Sequence, residues 1–218
     1  RLEMRPLLPA SLKALCDRIY ALADAKVAEF VGAEPFEAIT QLAAYLPTVV
    51  VAELVGIKNL GAETMLEWSK AVFDAFGPMS NQRTGAAFPT IEQFVRFGAE
   101  LTRVDIVPGS WADKIFDAVD RGEIALQEGR ELIFDYVIPS LDTTIYAIGE
   151  MLFQLASSPD AFDDLRRQPE LTSAVIMESV RLASPLRGFT RYAAEDLRFS
   201  VTTVPIGARV WLLYASAN

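Results

Sequence analysis

The sequence predicts a mainly helical fold with a small β-sheet, and three observations carry the prediction. Apolar residues step by three and four through most of the chain, the signature of helices with one buried face. One such pattern runs unbroken from about Leu126 to Ser157. Beyond Ser184–Pro185 the character changes to short β-like runs separated by turn residues. The 218 residues suit one sizeable core, and a single domain over 1–218 is expected.

The first helix is expected from Ser11 to Val31, where Leu12, Leu15, Cys16, Ile19, Leu22, Ala23 and Val27 make an apolar stripe. Cys16 reads as part of that core face. A second helix covers about Phe36 to Val55 and stops at Gly56; a third runs from Ala62 to Phe76, ended by Gly77–Pro78. Met79–Ala87 is polar and turn-rich and is read as a loop. A fourth helix follows from Pro89 to about Arg103, and a fifth spans Trp111 to Val119. The long pattern is a sixth. Pro159 opens a short helix, and Pro169 turns the chain into another that ends at Ser184. Gly188–Tyr192, Leu197–Val201 and Ala208–Tyr214 are the expected strands, with Pro205–Ile206–Gly207 as the turn between the last two.

Composition excludes several functions. A net charge of −9 without a basic cluster argues against nucleic acid and against a membrane surface. The uncharged stretch Ala38–Ala52 is shorter than the roughly 20 apolar residues of a spanning helix. The chain has no histidine, which removes Ser–His and Cys–His nucleophiles and the usual zinc sites. A single cysteine rules out an internal disulfide and suits a reducing cytoplasm. No signal peptide is visible at the start. The chain opens with Arg1 and stops after a strand-like run, so both ends are expected to be cuts through a larger fold.

Three places break the local rules. The long helix carries Pro139-Ser140-Leu141-Asp142-Thr143-Thr144 at its centre. An interior proline loses its own hydrogen bond and costs roughly 3 kcal/mol. One reading is a kink, with hydroxyls bonding back to carbonyls one turn earlier. The other is a polar opening in which a carboxylate exchanges protons and a hydroxyl positions them. The second place is Glu178-Ser-Val-Arg181. The same Glu-x-x-Arg spacing recurs at Glu100–Arg103 and Glu195–Arg198, so spacing alone does not choose among the three. The third is Pro185-Leu-Arg-Gly-Phe-Thr-Arg191, either an edge strand with solvated arginines or a segment holding Arg191 for an anionic group.

Taken in order, these features resemble a cytochrome P-450 of the bacterial soluble type. The family's long central helix carries a small-Gly-x-acid-Thr motif, matched by Pro139-Ser-Leu-Asp142-Thr143; its Glu-x-x-Arg pair is matched by Glu178 and Arg181. An extended segment with a propionate-binding arginine is matched by Arg191, and an Ile-Pro-x-Gly turn is similar to Val204-Pro-Ile-Gly207. Pro139 and Ser140 depart from the small residue and glycine usual there.

The resemblance implies the cytochrome P-450 fold, truncated at both ends, with the N-terminal part absent and the axial cysteine of the heme expected beyond Asn218. It implies a monooxygenase that hydroxylates a small hydrophobic organic substrate with O2. Ferredoxin or a similar donor would supply electrons. Asp142 and Thr143 would be catalytic, Arg191, Arg1 and Ser140 would line the cofactor, and Glu178 and Arg181 would be structural. Ile138, Leu186, Gly188, Phe189 and Phe76, with the 78–81 loop, would face the substrate. By itself this stretch is expected to be inactive. The alternative is a degenerate, haem-free helical scaffold that binds a hydrophobic ligand or a protein partner.

Overall fold

The computed structural model describes residues 9–76 and 81–217. Packing divides the chain into two compact units, Arg1–Ile145 and Tyr146–Asn218. The mainly helical architecture with small sheets is as expected.

The first unit begins with α1 (Pro9–Ala28). Its buried side runs through Leu15, Ile19 and Leu22, one helical turn apart. Cys16 lies about 100° round from that line and is exposed, contrary to its reading as core. The expected helix from Phe36 to Val55 is broken in two. A π-turn, Ile39–Ala43, precedes α2 (Tyr45–Val55), and the Ala44 N–H donates to Ile39 O at 2.8 Å. Pro47 in the first turn of α2 offers no N–H to the carbonyl of Ala43, and the wider turn absorbs that missing bond.

Gly56 ends α2 in the left-handed conformation, φ 70°. Beyond it, Ile57 forms an antiparallel bridge with Ile106, flanked by Val107 N–H to Gly56 O and Lys58 N–H to Asp105 O, both 2.8 Å.

Helix α3 (Ala62–Phe76) has the expected bounds. The fourth helix does not. Its start is Gln82, and α4 (Gln82–Glu100) contains Pro89 in its interior. The part of the expected loop from Asn81 on is therefore a cap and a first turn; Met79 and Ser80 lie outside the described residues. Asn81 accepts from the Thr84 N–H at 2.9 Å, and the Thr84 hydroxyl donates to Asp74 O at 2.9 Å. Polar residues that look like a loop are here a cap that ties α4 to α3.

Helices α5 (Trp111–Asp120) and α6 (Leu126–Ser157) follow. The core lies between α2, α3, α5 and the first half of α6. Met65, Ile115, Ile133, Val137 and Leu141 are almost fully buried there. Trp68 packs against Phe94, Phe97 and Phe134, and Trp111 lies 3.7 Å from Tyr136 between ring centroids.

The second unit contains the end of α6, then α7 (Pro159–Arg167) and α8 (Thr172–Ala183), with a single 3-10 turn, Pro169–Leu171, between them. Two antiparallel ladders follow. In one, β1 (Phe189–Tyr192) pairs with β4 (Arg209–Leu212), in register Phe189 to Leu212. In the other, β2 (Leu197–Arg198) pairs with β3 (Thr203–Val204). The expected strand Leu197–Val201 stops at Arg198 because the chain turns there, Phe199 N–H bonding Thr202 O at 2.8 Å. Among the described residues no helix is long and apolar enough to cross a membrane.

Candidate functional site

Four residues singled out from sequence fall within six positions of α6: Ile138, Ser140, Asp142 and Thr143. Ile138 is 8% exposed and belongs to the core. Its carbonyl accepts the Ser69 hydroxyl of α3 at 2.9 Å. Pro139 faces outward, and Ser140, Asp142 and Thr143 are half-buried. Helix α6 stays α-helical through the proline.

The Thr143 hydroxyl donates to the Pro139 carbonyl at 2.6 Å, the back-bonding that an interior threonine readily adopts. A hydroxyl has one proton to donate and two lone pairs. In this arrangement Thr143 is committed as a donor and open as an acceptor.

Asp142 sits in a different electrostatic setting. Burial pushes its carboxyl above the usual range; the neighbouring Asp74 carboxylate pushes the same way, and Lys70 opposes both. Lys70 and Asp74 are one turn apart on α3. Asp74 is in turn paired with Arg83 of α4 at 2.7 Å. Asp142 and Thr143 are neighbours on α6, and the Asp142 carboxyl holds its proton more tightly than a solvated aspartate does.

The second unit holds the other expected residues. Arg181 grips Glu178 through both carboxylate oxygens, at 2.8 and 2.7 Å, and this holds the Glu178 carboxyl below its usual range. Among the described residues, it is the one Glu-x-x-Arg of the three that pairs internally. Arg103 turns instead to Asp113, Asp117 and Asp120.

Arg191 lies on β1. Its guanidinium donates to the Thr190 carbonyl at 2.9 Å and lies 5.7 Å over the Phe189 ring, with no ion pair among the described residues. Gly188 precedes β1 where the facing strand comes close: a Cβ there would fall 2.7 Å from both Leu212 O and Trp211 Nε1. Leu186 and Phe189 are exposed apolar residues. In the first unit, Phe76 at the end of α3 is 77% exposed. Arg1 and residues 78–80 lie outside the described residues.

Ser69, Lys70 and Asp74 were not foreseen. Ser69 was findable: it falls within the apolar stripe of Met65, Trp68 and Val72, where a hydroxyl needs a partner. Lys70 and Asp74 look like an ordinary solvent-facing pair at i, i+4.

No protein-family model matches the chain. Among curated proteins, cytochrome P450 CYP199A2 of Rhodopseudomonas palustris is 32% identical over 211 residues, which are 96% of this chain and 51% of that protein. Over nearly its whole length the chain resembles about half of a cytochrome P450. Linalool 8-monooxygenase of Pseudomonas putida is 28% identical over 219 residues, 99% of this chain and 54% of its own length. The chain thus spans about half the length of the cytochrome P450 relatives it matches.

Solved structures agree on the fold. P450BioI, in complex with an acyl carrier protein ligated to hexadec-9Z-enoic acid, superposes with a TM-score of 0.86 at 20% identity. The match covers 99% of this chain and 57% of that one. Full-length CYP116B46 from Tepidiphilus thermophilus gives 0.87 at 20% identity, covering 100% and 30%.

A cytochrome P450 implies haem. Arg191, an exposed guanidinium without a carboxylate partner among the described residues, fits a propionate. The axial sulfur is a different matter: Cys16 is exposed on α1, and no metal-binding cluster occurs among the described residues.

Proposed function

We propose that the protein carrying this chain is a haem-thiolate monooxygenase acting on a small hydrophobic organic substrate. In that reaction one oxygen atom of O2 enters a C–H bond; the other leaves as water, using two electrons and two protons. The observation that carries the reading is the adjacency of Asp142, biased by burial toward its protonated form, and Thr143, whose hydroxyl already bonds within the helix. A haem-thiolate centre would supply oxygen activation when bound.

This chain's own residues then do the following. Asp142 takes protons from solvent and holds them at its carboxyl. Thr143 accepts from Asp142 or an intervening water through its open lone pairs. To donate onward toward oxygen, it releases the Pro139 carbonyl. Arg191 neutralises a propionate, and the Glu178–Arg181 pair fixes α8. The exposed apolar side chains of Leu186 and Phe189 suit a hydrophobic substrate. Electrons come from a ferredoxin or a similar donor, and the setting is cytoplasmic. Alone, the chain is inactive for want of the thiolate.

The first test is the reduced, carbon-monoxide-bound absorption spectrum of the full-length protein. A red-shifted Soret band supports the reading; a haem-free protein overturns it in favour of a ligand-binding scaffold. The second is Thr143→Ala, which should keep O2 consumption while lowering product formed per O2. Unchanged coupling removes Thr143 from the proton path. Third, Glu178→Ala should abolish haem incorporation by misfolding, and a soluble, loaded variant would show that this pair is dispensable.

A further inference from the structure

We propose that the cavity between the end of α1, the π-turn, α2 and the start of α3 is a binding site for a small organic ammonium ion with an apolar body. It is separate from the residues assigned to the reaction, and the inference does not depend on the monooxygenase reading.

The cavity measures about 380 Å³, within the roughly 300–1,000 Å³ usual for sites that enclose small molecules. All of its walls belong to the first unit, and none comes from α6. The local sequence explains the opening. Pro47 offers no N–H to the carbonyl of Ala43, and the chain widens into the π-turn Ile39–Ala43. Thr40 and Gln41 of that turn line the cavity, together with Tyr45 of α2. Wide turns of this kind recur at functional sites. On another wall the Phe30 ring stacks on Phe36, 3.8 Å between centroids, and this holds the ring in place.

The rings already hold a cation. The Lys26 ammonium lies 5.2 Å from the Phe30 centroid and 4.9 Å from that of Tyr45, and the side chain is only 16% exposed. Aromatic faces attract positive charge. Glu29 pairs with Lys26 at 2.7 Å and neutralises it. The remaining charge of the lining is Glu63, in the first turn of α3, which has no ion pair among the described residues. The lining is therefore negative, on a chain whose net charge is −9. A ligand anion would meet Glu29 and Glu63, and the partial positive charge of the α3 N-terminus already has Glu63 beside it.

Hydrogen-bond polarity points the same way. The Thr40 hydroxyl donates to Glu37 Oε2 at 2.6 Å, and the Thr48 hydroxyl donates to the Ala44 carbonyl. Each has committed its one proton and keeps lone pairs to accept with. With two carboxylates in the same lining, acceptors outnumber donors. A protonated amine supplies both the donors and the positive charge. Val49 and Leu66 add apolar surface beside the Tyr45 ring, which an aliphatic or aromatic body would cover.

The test is calorimetric titration of the full-length protein with phenethylamine, with the Soret band recorded in parallel. Saturable binding that leaves the Soret band unmoved is expected. Phenethyl alcohol and phenylacetate, the neutral and anionic counterparts, should bind about tenfold more weakly or worse. Glu63→Gln should weaken the amine by about tenfold. Ala62→Trp, which fills the cavity from an exposed helix position, should abolish binding. Lys26→Met should tighten it, because Glu29 is then left for the ligand; a folding defect would not produce that sign.

Absence of binding overturns the inference, as does phenylacetate or phenethyl alcohol binding as tightly as the amine. Binding that displaces the Soret band and is indifferent to Glu63→Gln and Ala62→Trp belongs to the haem iron. That result overturns the inference too, and leaves the monooxygenase reading intact.

Discussion

Replacing Ser69 by alanine should loosen the joint between α3 and α6. Ser69 is 0% exposed, and its hydroxyl donates to the Ile138 carbonyl at 2.9 Å. A neutral intramolecular hydrogen bond contributes about 0.5–1.5 kcal/mol net, and a buried group stripped of a partner costs about 1–3 kcal/mol. Ser69→Ala removes only the donor, so a loss of about 1–2 kcal/mol is expected. Ser69→Val also forces two methyl groups into a filled space, which adds about 1–3 kcal/mol. Ser69→Thr keeps the hydroxyl and separates the hydrogen bond from the volume. Urea unfolding of the full-length protein, followed by far-ultraviolet circular dichroism, would give midpoints in the order wild type, Ala, Val. An alanine variant with an unchanged midpoint would show that the joint rests on packing alone.

Two further perturbations follow from the same geometry. Asp142 holds its proton above the usual value of 3.8, so its contribution to stability is fully present below that value and is lost as pH rises through the folded-state value. Asp142→Asn should abolish this loss and gain on wild type toward neutrality; parallel melting-temperature curves against pH would refute it. Gly188→Ala would drive a Cβ into Leu212 O and Trp211 Nε1, parting β1 from β4 at a cost of roughly 1–3 kcal/mol. Amide exchange at Thr190 and Arg191 should accelerate, and unaltered protection would mean the strands simply shift to make room.

Much of the helical frame was legible because periodicity and punctuation agreed. Gly56 and Ser184 end helices in the left-handed conformation, and the bounds of α6 follow from its stripe. The readings that failed are those where composition and geometry part. Asn81–Thr84 is polar enough for a loop, yet its spacing makes an N-cap that only a partner at Asp74 O completes. Proline usually marks a helix boundary, yet Pro89 lies inside α4 on its exposed side. The π-turn at Ile39–Ala43 leaves no trace in hydrophobic pattern. At the site, Asp142, Thr143 and the Glu178–Arg181 pair stood out as rule-breakers. Their setting did not, because Asp74 and Lys70 act across a helix interface that no local pattern encodes.

The bridge between Ile57 and Ile106 bears on how the chain finds its fold. It joins segments about fifty residues apart. Closing a loop of that length costs roughly 3–4 kcal/mol in chain entropy before any contact is gained. The α3–α4 hairpin lies inside that loop and is made of local contacts, so it can form first and shorten the distance to be searched. Docking of α2 against α5, sealed by the two backbone hydrogen bonds beside the bridge, should then be the slow step. Substitutions at Gly56 should accordingly retard refolding, whereas changes on the outer face of α4 should mainly hasten unfolding.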